Sequence, residues 1–256
     1  MASLQLSVAL ATYNEADNLA RCLESIRQLA DEIIVVDGSS TDQTRTIAKQ
    51  FGAKVFKVKN LPMFHTNKQV AVNKASGDWI LQLDADEIVT PQLADEIKLA
   101  LTQPFAAFYV PRKNYFLGRW LTKGGQYPDY VIRLFRRGKA IFPQRSVHEQ
   151  LQVDGRVRYL KQPLLHYTAP TFSRYLTNAN RYTSLTATNL SAQNVKLNQF
   201  NLLNYLLVKP VATFASLFFR HKGFVDGMPG FIFAFFSGLH WPIAYLKYWE
   251  AHESRH

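Results

Sequence analysis

Asp84 and Asp86 flank a single alanine directly after the apolar run Trp79 to Leu83. Alternation along a strand turns both carboxylates to one side and leaves the short Ala85 out of the way. Two hard oxygen donors so placed can hold Mg2+ or Mn2+, and such an ion bridges phosphate oxygens and neutralises charge on a departing diphosphate. Read alone, the tripeptide also fits a solvated acidic turn or a helix N-cap. Glu87, the next acid, reads as a favourable residue near the start of the following helix. Cys22, the only cysteine, sits at helix spacing from Leu19 and Ile26 and reads as a small buried hydrophobe rather than a nucleophile.

Positioning such a pair requires a strand that ends at the right edge of a sheet, and the first hundred residues supply the pattern. Leu4 to Ala11 reads as a first strand, with Asn14 as N-cap of a helix that runs to about Leu29 through Leu19, Leu23 and Ile26. Ile33 to Val36 is a continuous apolar run, as expected of a strand buried on both faces. Ser40 with Gln43 resembles a capping box, and Ile47, Ala48 and Phe51 follow on one helical face up to Gly52. Ala53 to Val58 is a third strand, residues 66–75 a short helix, and Trp79 to Leu83 a fourth strand. Ligands of open α/β sheets bind beyond the carboxyl ends of the strands, where Asp37 and the Asp84/Asp86 pair both fall. Val8, Leu10, Ile34, Val36, Ile80 and Leu81 are the expected core of this sheet. Beyond a helix from Pro91 to Leu101, the stretch 106–142 is rich in β-forming residues, with Arg137-Gly138 as a turn between Val131–Phe135 and Ala140–Phe142. A long helix carrying Phe172, Leu176, Ala179 and Leu185 follows.

The chain has 256 residues, 47% hydrophobic and 19% charged, which excludes disorder, collagen-like repeats and a small disulfide scaffold. Its net charge of +11 is uneven: −3 over residues 1–111, +9 over 112–161 and +5 over 162–256. An acidic front half before a basic remainder suits an enzyme whose second half faces something anionic. The first apolar run has no basic residues before it and no cleavage pattern after it, so a strand rather than a signal peptide is expected, and with it a cytoplasmic protein. From Phe200 onward Phe, Leu, Tyr and Trp accumulate, but Lys209, Pro210, Pro229 and Pro242 interrupt the run. That composition predicts an amphipathic region lying on a membrane surface rather than spanning it.

The aspartate pair is the last of four motifs in a fixed order: Ala11-Thr12-Tyr13-Asn14-Glu15, then Val36-Asp37-Gly38-Ser39-Ser40-Thr41-Asp42, then Lys68 ahead of Ala75-Ser76-Gly77-Asp78-Trp79, and Leu83-Asp84-Ala85-Asp86-Glu87. Together they resemble the inverting family 2 glycosyltransferases of GT-A fold. The resemblance implies a Rossmann-like, mostly parallel mixed α/β sheet with helices on both faces, and a helical amphipathic C-terminal region. It implies a nucleotide-sugar donor bound by Ala11, Tyr13, Glu15, Asp37, Lys68 and Asp84. Asp37 would accept from a base N–H or ribose hydroxyls, with helix capping as its alternative role. Lys68 would contact phosphate or the base, against the alternative of an ordinary solvated lysine. The metal, Mn2+ or Mg2+, falls to Asp86, with Asp84 beside it. The run Lys123-Gly124-Gly125-Gln126-Tyr127-Pro128-Asp129, then Val147-His148-Glu149 and Gly223-Phe224-Val225-Asp226-Gly227-Met228-Pro229-Gly230, is similar to the lipopolysaccharide core β-glucosyltransferase subgroup. That similarity implies UDP-glucose as donor and a lipid-linked saccharide as acceptor. Other envelope polysaccharides or lipid carriers are the alternative acceptors.

Inversion by direct displacement calls for a carboxylate base at the acceptor hydroxyl. Asp129 stands where many family members carry Glu-Asp, here Pro128-Asp129, and Glu149 has the longer reach; both are candidates. His148, beside Glu149, is a possible third metal ligand, whereas His148 and His166 both also fit structural imidazoles. Arg133, Arg136 and Arg137 could grip a diphosphate or form an exposed basic hairpin. The expected division is a catalytic domain over 1–160, with donor (1–103) and acceptor (104–160) halves, and a membrane-associating region over 161–256. A nucleic-acid-binding module would share the basic, aromatic second half, but acidic strand ends repel a polyanion, so no nucleic-acid partner is expected. The reading is therefore of an enzyme docked peripherally on the inner face of the cell membrane, where anionic lipid meets Lys209, Arg220, Lys222 and Lys247.

Overall fold

The structure is a computed structural model that describes residues 4–61, 63–143 and 151–253. Its chain divides into two compact units, one formed by residues 1–112 and 129–166, the other by 113–128 and 167–256.

The strands form a mixed sheet. Strands β1 (Leu6–Thr12), β2 (Glu32–Asp37), β3 (Lys54–Lys57) and β4 (Trp79–Leu83) are mutually parallel, with β1 between β2 and β4. The remaining strands are β5 (Glu87–Val89), β6 (Ala107–Phe116), β7 (Arg119–Trp120), β8 (Asp129–Arg136), β9 (Ala140–Ile141), β10 (Gln152–Val153), β11 (Val157–Tyr159) and β12 (Leu164–Ala169). The main sheet runs β3-β2-β1-β4-β8-β6-β12-β5, with β7 and β11 also paired to β6. Strand β8 runs antiparallel to both β4 and β6, which gives the mixed character. Helices α1 (Ala16–Ile26), α2 (Thr44–Gln50), α3 (Phe64–Lys74) and α4 (Pro91–Ala100) connect the early strands.

Two apolar layers cover the sheet, as a parallel core buried on both faces demands. Leu6, Val8, Leu10, Trp79 and Leu81 pack with Leu19, Leu23 and Ile26 of α1 on one side; Ala9, Ile34, Val36 and Ile80 pack with Ala71 and Val72 of α3 on the other. All six residues expected in the core are buried. Helix α1 is shorter than its apolar period suggests, because the chain turns after Ile26. Asn14 is not its N-cap: it adopts a left-handed φ of 53° and its Oδ1 accepts from the Thr41 N–H. Nor does Ser40 cap α2; its hydroxyl is spent on Asp37, and α2 begins only at Thr44. The Arg137-Gly138 turn forms, but β9 pairs with β10 rather than folding back on β8. Thr90, by contrast, caps α4 through its hydroxyl with Pro91 in the first turn, the arrangement that Pro at a helix start favours.

The second unit is largely helical. Helix α5 (Phe172–Ala192) is followed by a continuous helix over Gln199–Arg220 and another over Gly227–Glu253. The 199–220 helix is long and apolar enough to cross a membrane, and little of it is buried. Pro210 lacks an N–H, and the turn before it, Asn204–Val208, widens to π-helical spacing. Gly238 lets this helix meet the 227–253 helix closely, since a Cβ there would lie 2.7 Å from the Pro210 carbonyl oxygen. Lys209 in the middle of the apolar stretch lies over the rings of Tyr205 and Trp241, at 3.9 and 4.4 Å from their centroids. Cation–π contact offsets part of the cost of a charge in such a segment.

Candidate active site

The parallel strands end together. Thr12 of β1 is level with Asp37 of β2, and Leu10 of β1 with Leu83 of β4, so the chain segments after all three strands emerge at one sheet edge. Hydrogen bonds lace the first two of these loops together. Ser40 Oγ accepts from the Asn14 N–H, Thr44 Oγ1 from the Glu15 N–H and Asp42 Oδ2 from the Ala16 N–H. Burial would raise the Asp42 carboxyl, but the hydroxyl and N–H of Thr44 and the N–H of Ala16 hold it below its usual value.

Asp37 lies at the centre of this lacing, fully buried. Its carboxylate accepts from the hydroxyls of Thr12 and Ser40 and the N–H of Ser40, and Arg45 lies 3.5 Å away. A carboxylate offers about four acceptor positions. Thr12 and Ser40 take three of them and Arg45 lies alongside, which leaves Asp37 little acceptor capacity for a base or ribose. Ala11 is half-buried beside it at the end of β1, Tyr13 is exposed, and the Glu15 carboxylate accepts from the Asn18 side chain.

Beyond β4 the charges organise differently. Asp84 is held by two cations, Lys68 of α3 and Arg133 of β8, with the Arg133 contact at 2.7 Å. Burial pushes the Asp84 carboxyl up, but Arg133 and Lys68 outweigh it and hold the group well below the usual carboxylate range. Arg133 also bonds Gln82 of β4 and, at 2.6 Å, Glu87. Its own pKa is pushed further up by Asp84 and Glu87 against the effect of burial. Glu87 is fully buried on β5, and its second oxygen accepts from the Asp84 N–H at 2.9 Å. From Glu87 the chain of charges continues to Arg112 at 3.5 Å, and Arg112 places both Nε and Nη2 on Oδ2 of Asp129, at 3.0 and 2.6 Å. Three carboxylates and three cations thus alternate from Lys68 to Asp129. A buried charge is tolerated only when paired, and this alternation pairs every one.

Asp86 stands outside that chain. Its side chain is about one-quarter exposed, and Oδ2 lies 3.5 Å from Nε2 of His166 on β12. The pairing of β5 with β12, which sets His166 opposite Glu87, brings the imidazole there. A carboxylate oxygen and an imidazole nitrogen form a donor set that suits Mn2+. Asp84, expected to share the metal, has its oxygens engaged by Lys68 and Arg133. Among the described residues no three His, Cys, Asp or Glu side chains gather as a complete protein cage. His148 and Glu149 lie outside the described residues.

The structure therefore brings together Lys68, Asp84, Asp86 and Asp129 of the expected residues with Arg133, which pairs with carboxylates here, and adds Glu87, Arg112 and His166. Glu87 is not an exposed helix-start acid: β5 intervenes before α4, and the side chain turns inward. The three basic residues of β8 and its turn separate. Arg133 enters the site, whereas Arg136 stacks on Trp79 at the opposite end of β4 and bonds the carbonyls of Phe105 and Gln103. Cys22 is buried under the site with its thiol 3.6 Å from the Asp84 carbonyl, and burial first, then the charges of Glu87, Asp86 and Asp84, push the thiol pKa up.

Residues 7–164 match the sequence profile described as "Glycosyl transferase family 2". An uncharacterized glycosyltransferase of Rickettsia felis is 32% identical over 243 residues, covering 89% of this chain and 83% of that protein. The lipopolysaccharide core biosynthesis glycosyltransferase LpsC of Rhizobium meliloti is 28% identical over 91% of this chain and 90% of its own length. Among solved structures, the mannosyltransferase PcManGT of Pyrobaculum calidifontis, in complex with GDP-Man and Mn2+, superposes with a TM-score of 0.55 at 15% identity, over 96% of this chain and 87% of that one. Residues 1–349 of Staphylococcus aureus TarS, in complex with UDP, give 0.52 at 18% identity, over 86% of this chain and 74% of that one. The sheet order and these likenesses define a GT-A fold. With a profile match over residues 7–164 and a relative above 30% identity along most of its length, this chain belongs to glycosyl transferase family 2, enzymes that use nucleotide-sugar donors.

Proposed function

We propose that the protein is a metal-dependent, inverting hexosyltransferase that moves a sugar from a UDP-sugar, UDP-glucose first, to a lipid-linked saccharide such as a lipopolysaccharide inner core. The observation that carries the reading is the split of charge at the sheet edge. Asp84, Glu87 and Asp129 are neutralised by Lys68, Arg133 and Arg112, and Asp86 is the carboxylate left outside that chain, beside His166. Asp86 and His166 are the residues that would hold Mn2+ or Mg2+, and the ion would supply charge neutralisation for the departing diphosphate. Lys68 and Asp84 form the floor on which the ribose and diphosphate rest. Asp37 contributes by fixing the loops after β1 and β2, and Tyr13 offers an exposed ring to the base. Asp129 is the base that takes the proton from the acceptor hydroxyl, and Glu149 is the next candidate. The UDP complex of TarS and the lipopolysaccharide role in the name of LpsC support donor and acceptor class respectively.

A screen of UDP- and GDP-sugars tests this, with release of the nucleoside diphosphate measured with and without Mn2+ in the presence of deep-rough lipopolysaccharide. Metal-stimulated release from one UDP-hexose is expected. Equal release without metal, or release from GDP-sugars alone, refutes the assignment. The second unit, with Phe200, Val211 and Phe219 exposed on its 199–220 helix, would dock the enzyme on the anionic inner face of the cell membrane. The full-length protein should float with phosphatidylglycerol vesicles, and Val211→Glu with Phe219→Glu should abolish flotation; binding unchanged by both substitutions overturns the docking surface.

A further inference from the structure

Arg112 and Glu87 carry no chemistry of their own in that reading, yet they join its two ends. Residue 112 pairs with residue 129 across the antiparallel β6–β8 ladder, so the guanidinium and the carboxylate start from neighbouring backbone positions. A single donor would hold the carboxylate oxygen less firmly in place. Two donors from one planar fork, Nε at 3.0 Å and Nη2 at 2.6 Å, converge on Oδ2 and pin that atom; with Cβ held by the β8 backbone, the rigid geometry of the carboxyl group then sets where Oδ1 lies. The fork needs an anchor of its own. Glu87, fully buried, accepts from Arg112 Nη1 at 3.5 Å and is itself held by Arg133 and by the Asp84 N–H. The register of the base is thereby tied to backbone at Asp84, two residues before Asp86.

We infer that Arg112, anchored on Glu87, is a positioning residue that aims the Asp129 carboxylate at the acceptor hydroxyl and sets its distance from the strand-end donor site. The inference rests on Asp129 being the base. Proton transfer is sensitive to such aim, because a misplacement of about 1 Å costs on the order of 100-fold in rate. Arg112 is not in contact with Asp84, Lys68 or Asp86 in the charge chain, so its effect should fall on turnover and spare donor binding.

A double-mutant cycle in the full-length chain separates aiming from mere support. The readouts are kcat with UDP-glucose and deep-rough lipopolysaccharide, and the dissociation constant of UDP with Mn2+ by calorimetry. Arg112→Lys keeps the charge and loses the fork, and should lower kcat roughly 10- to 100-fold with UDP affinity within about twofold. Arg112→Gln gives a second variant should lysine find a new partner. Asp129→Asn alone should abolish most turnover, and adding Arg112→Lys to it should cause no further loss, because there is no longer a base to aim. Losses that multiply in the double variant, or an Arg112→Lys enzyme with normal kcat, overturn the positioning role while leaving Asp129 as base. Normal turnover in Asp129→Asn overturns the base assignment and the inference with it. A parallel loss of UDP affinity in Arg112→Lys assigns the residue to donor binding and likewise overturns the inference.

Discussion

Replacing Glu87 by glutamine is the sharpest structural test of the charge chain, because it removes one charge and almost no volume. Glu87 is fully buried and touches Arg133 Nη2 at 2.6 Å, Arg112 Nη1 at 3.5 Å and the Asp84 N–H at 2.9 Å. The amide carbonyl of glutamine can keep the Asp84 N–H bond, but its NH2 group then faces a guanidinium that has only donors. Removing one partner of a buried ion pair costs about 3–5 kcal/mol. Arg133 retains Asp84 and Gln82, and Arg112 retains Asp129, so neither cation is stranded. The expected loss is therefore at the lower end, about 3 kcal/mol. At about 2–4 °C per kcal/mol for a chain of this size, the midpoint should fall by roughly 6–12 °C. Urea denaturation without donor or metal measures the first quantity and a thermal scan the second. Asp95→Asn is the control: its pair with Lys98 spans 3.9 Å at the surface, where a change within about 0.5 kcal/mol is expected. A Glu87→Gln loss below about 1 kcal/mol would refute the argument that burial makes this carboxylate indispensable.

Three other outcomes follow from the structure. Asp86→Ala should remove the Mn2+ stimulation of transfer and leave the thermal midpoint near that of the native chain, since the side chain is about one-quarter exposed and lies outside the buried charge chain; stimulation that persists at saturating Mn2+ refutes the ligand role. Burial tends to raise the Glu32 carboxyl, but Lys54, Ser7 and Ser76 bring it from 4.5 down to about 2, so its contribution to stability is complete above pH 4.5 and is lost as the pH falls towards 2. Denaturation midpoints across that window should flatten in Glu32→Gln; an unchanged pH slope would count against the pairing. Gly238→Leu places side-chain atoms against the Pro210 carbonyl, 2.7 Å from the position of its Cβ, and should destabilise the helical unit by about 1–3 kcal/mol, read by circular dichroism on heating.

The parallel half of the sheet is legible because its information is local. A strand buried on both faces writes itself as a continuous apolar run, as Ile33 to Val36 does, and its last residue delivers whatever follows to the ligand edge. Asp37, Asp84 and Asp86 are expected at that edge on this ground, and the strands put all three there. Helix starts are less legible, since Asn14 and Ser40 satisfy local capping rules that the tertiary structure overrides. Their side chains instead stitch two loops that are distant in sequence. A polar residue next to a strand end serves whichever partner the fold brings closest, and the sequence shows only the nearest ones.

The charge chain is hidden for a stronger reason. The links made by its two arginines join residues 17 to 51 positions apart, and those of Arg133 and Asp129 depend on the antiparallel insertion of β8 between β4 and β6. Nothing in the spacing of Arg112, Asp129 and Arg133 tells which of β8's basic side chains turn into the site. Arg133 and Arg136 differ by three positions, so strand alternation sends them to opposite faces, and they end on Asp84 and on Trp79 respectively. One usable signal lies in Glu87. An acid that follows an aspartate pair directly and then leads into Ile88-Val89 sits in a β pattern, and an acid inside a buried strand must find a cation. That requirement calls for buried basic side chains from the middle of the chain, and Arg112 and Arg133 are the two that answer it. Part of the positive charge of the middle segment thus has an internal purpose: Arg112 and Arg133 neutralise the acidic strand ends, while Arg136, outside the site, meets carbonyls and a ring.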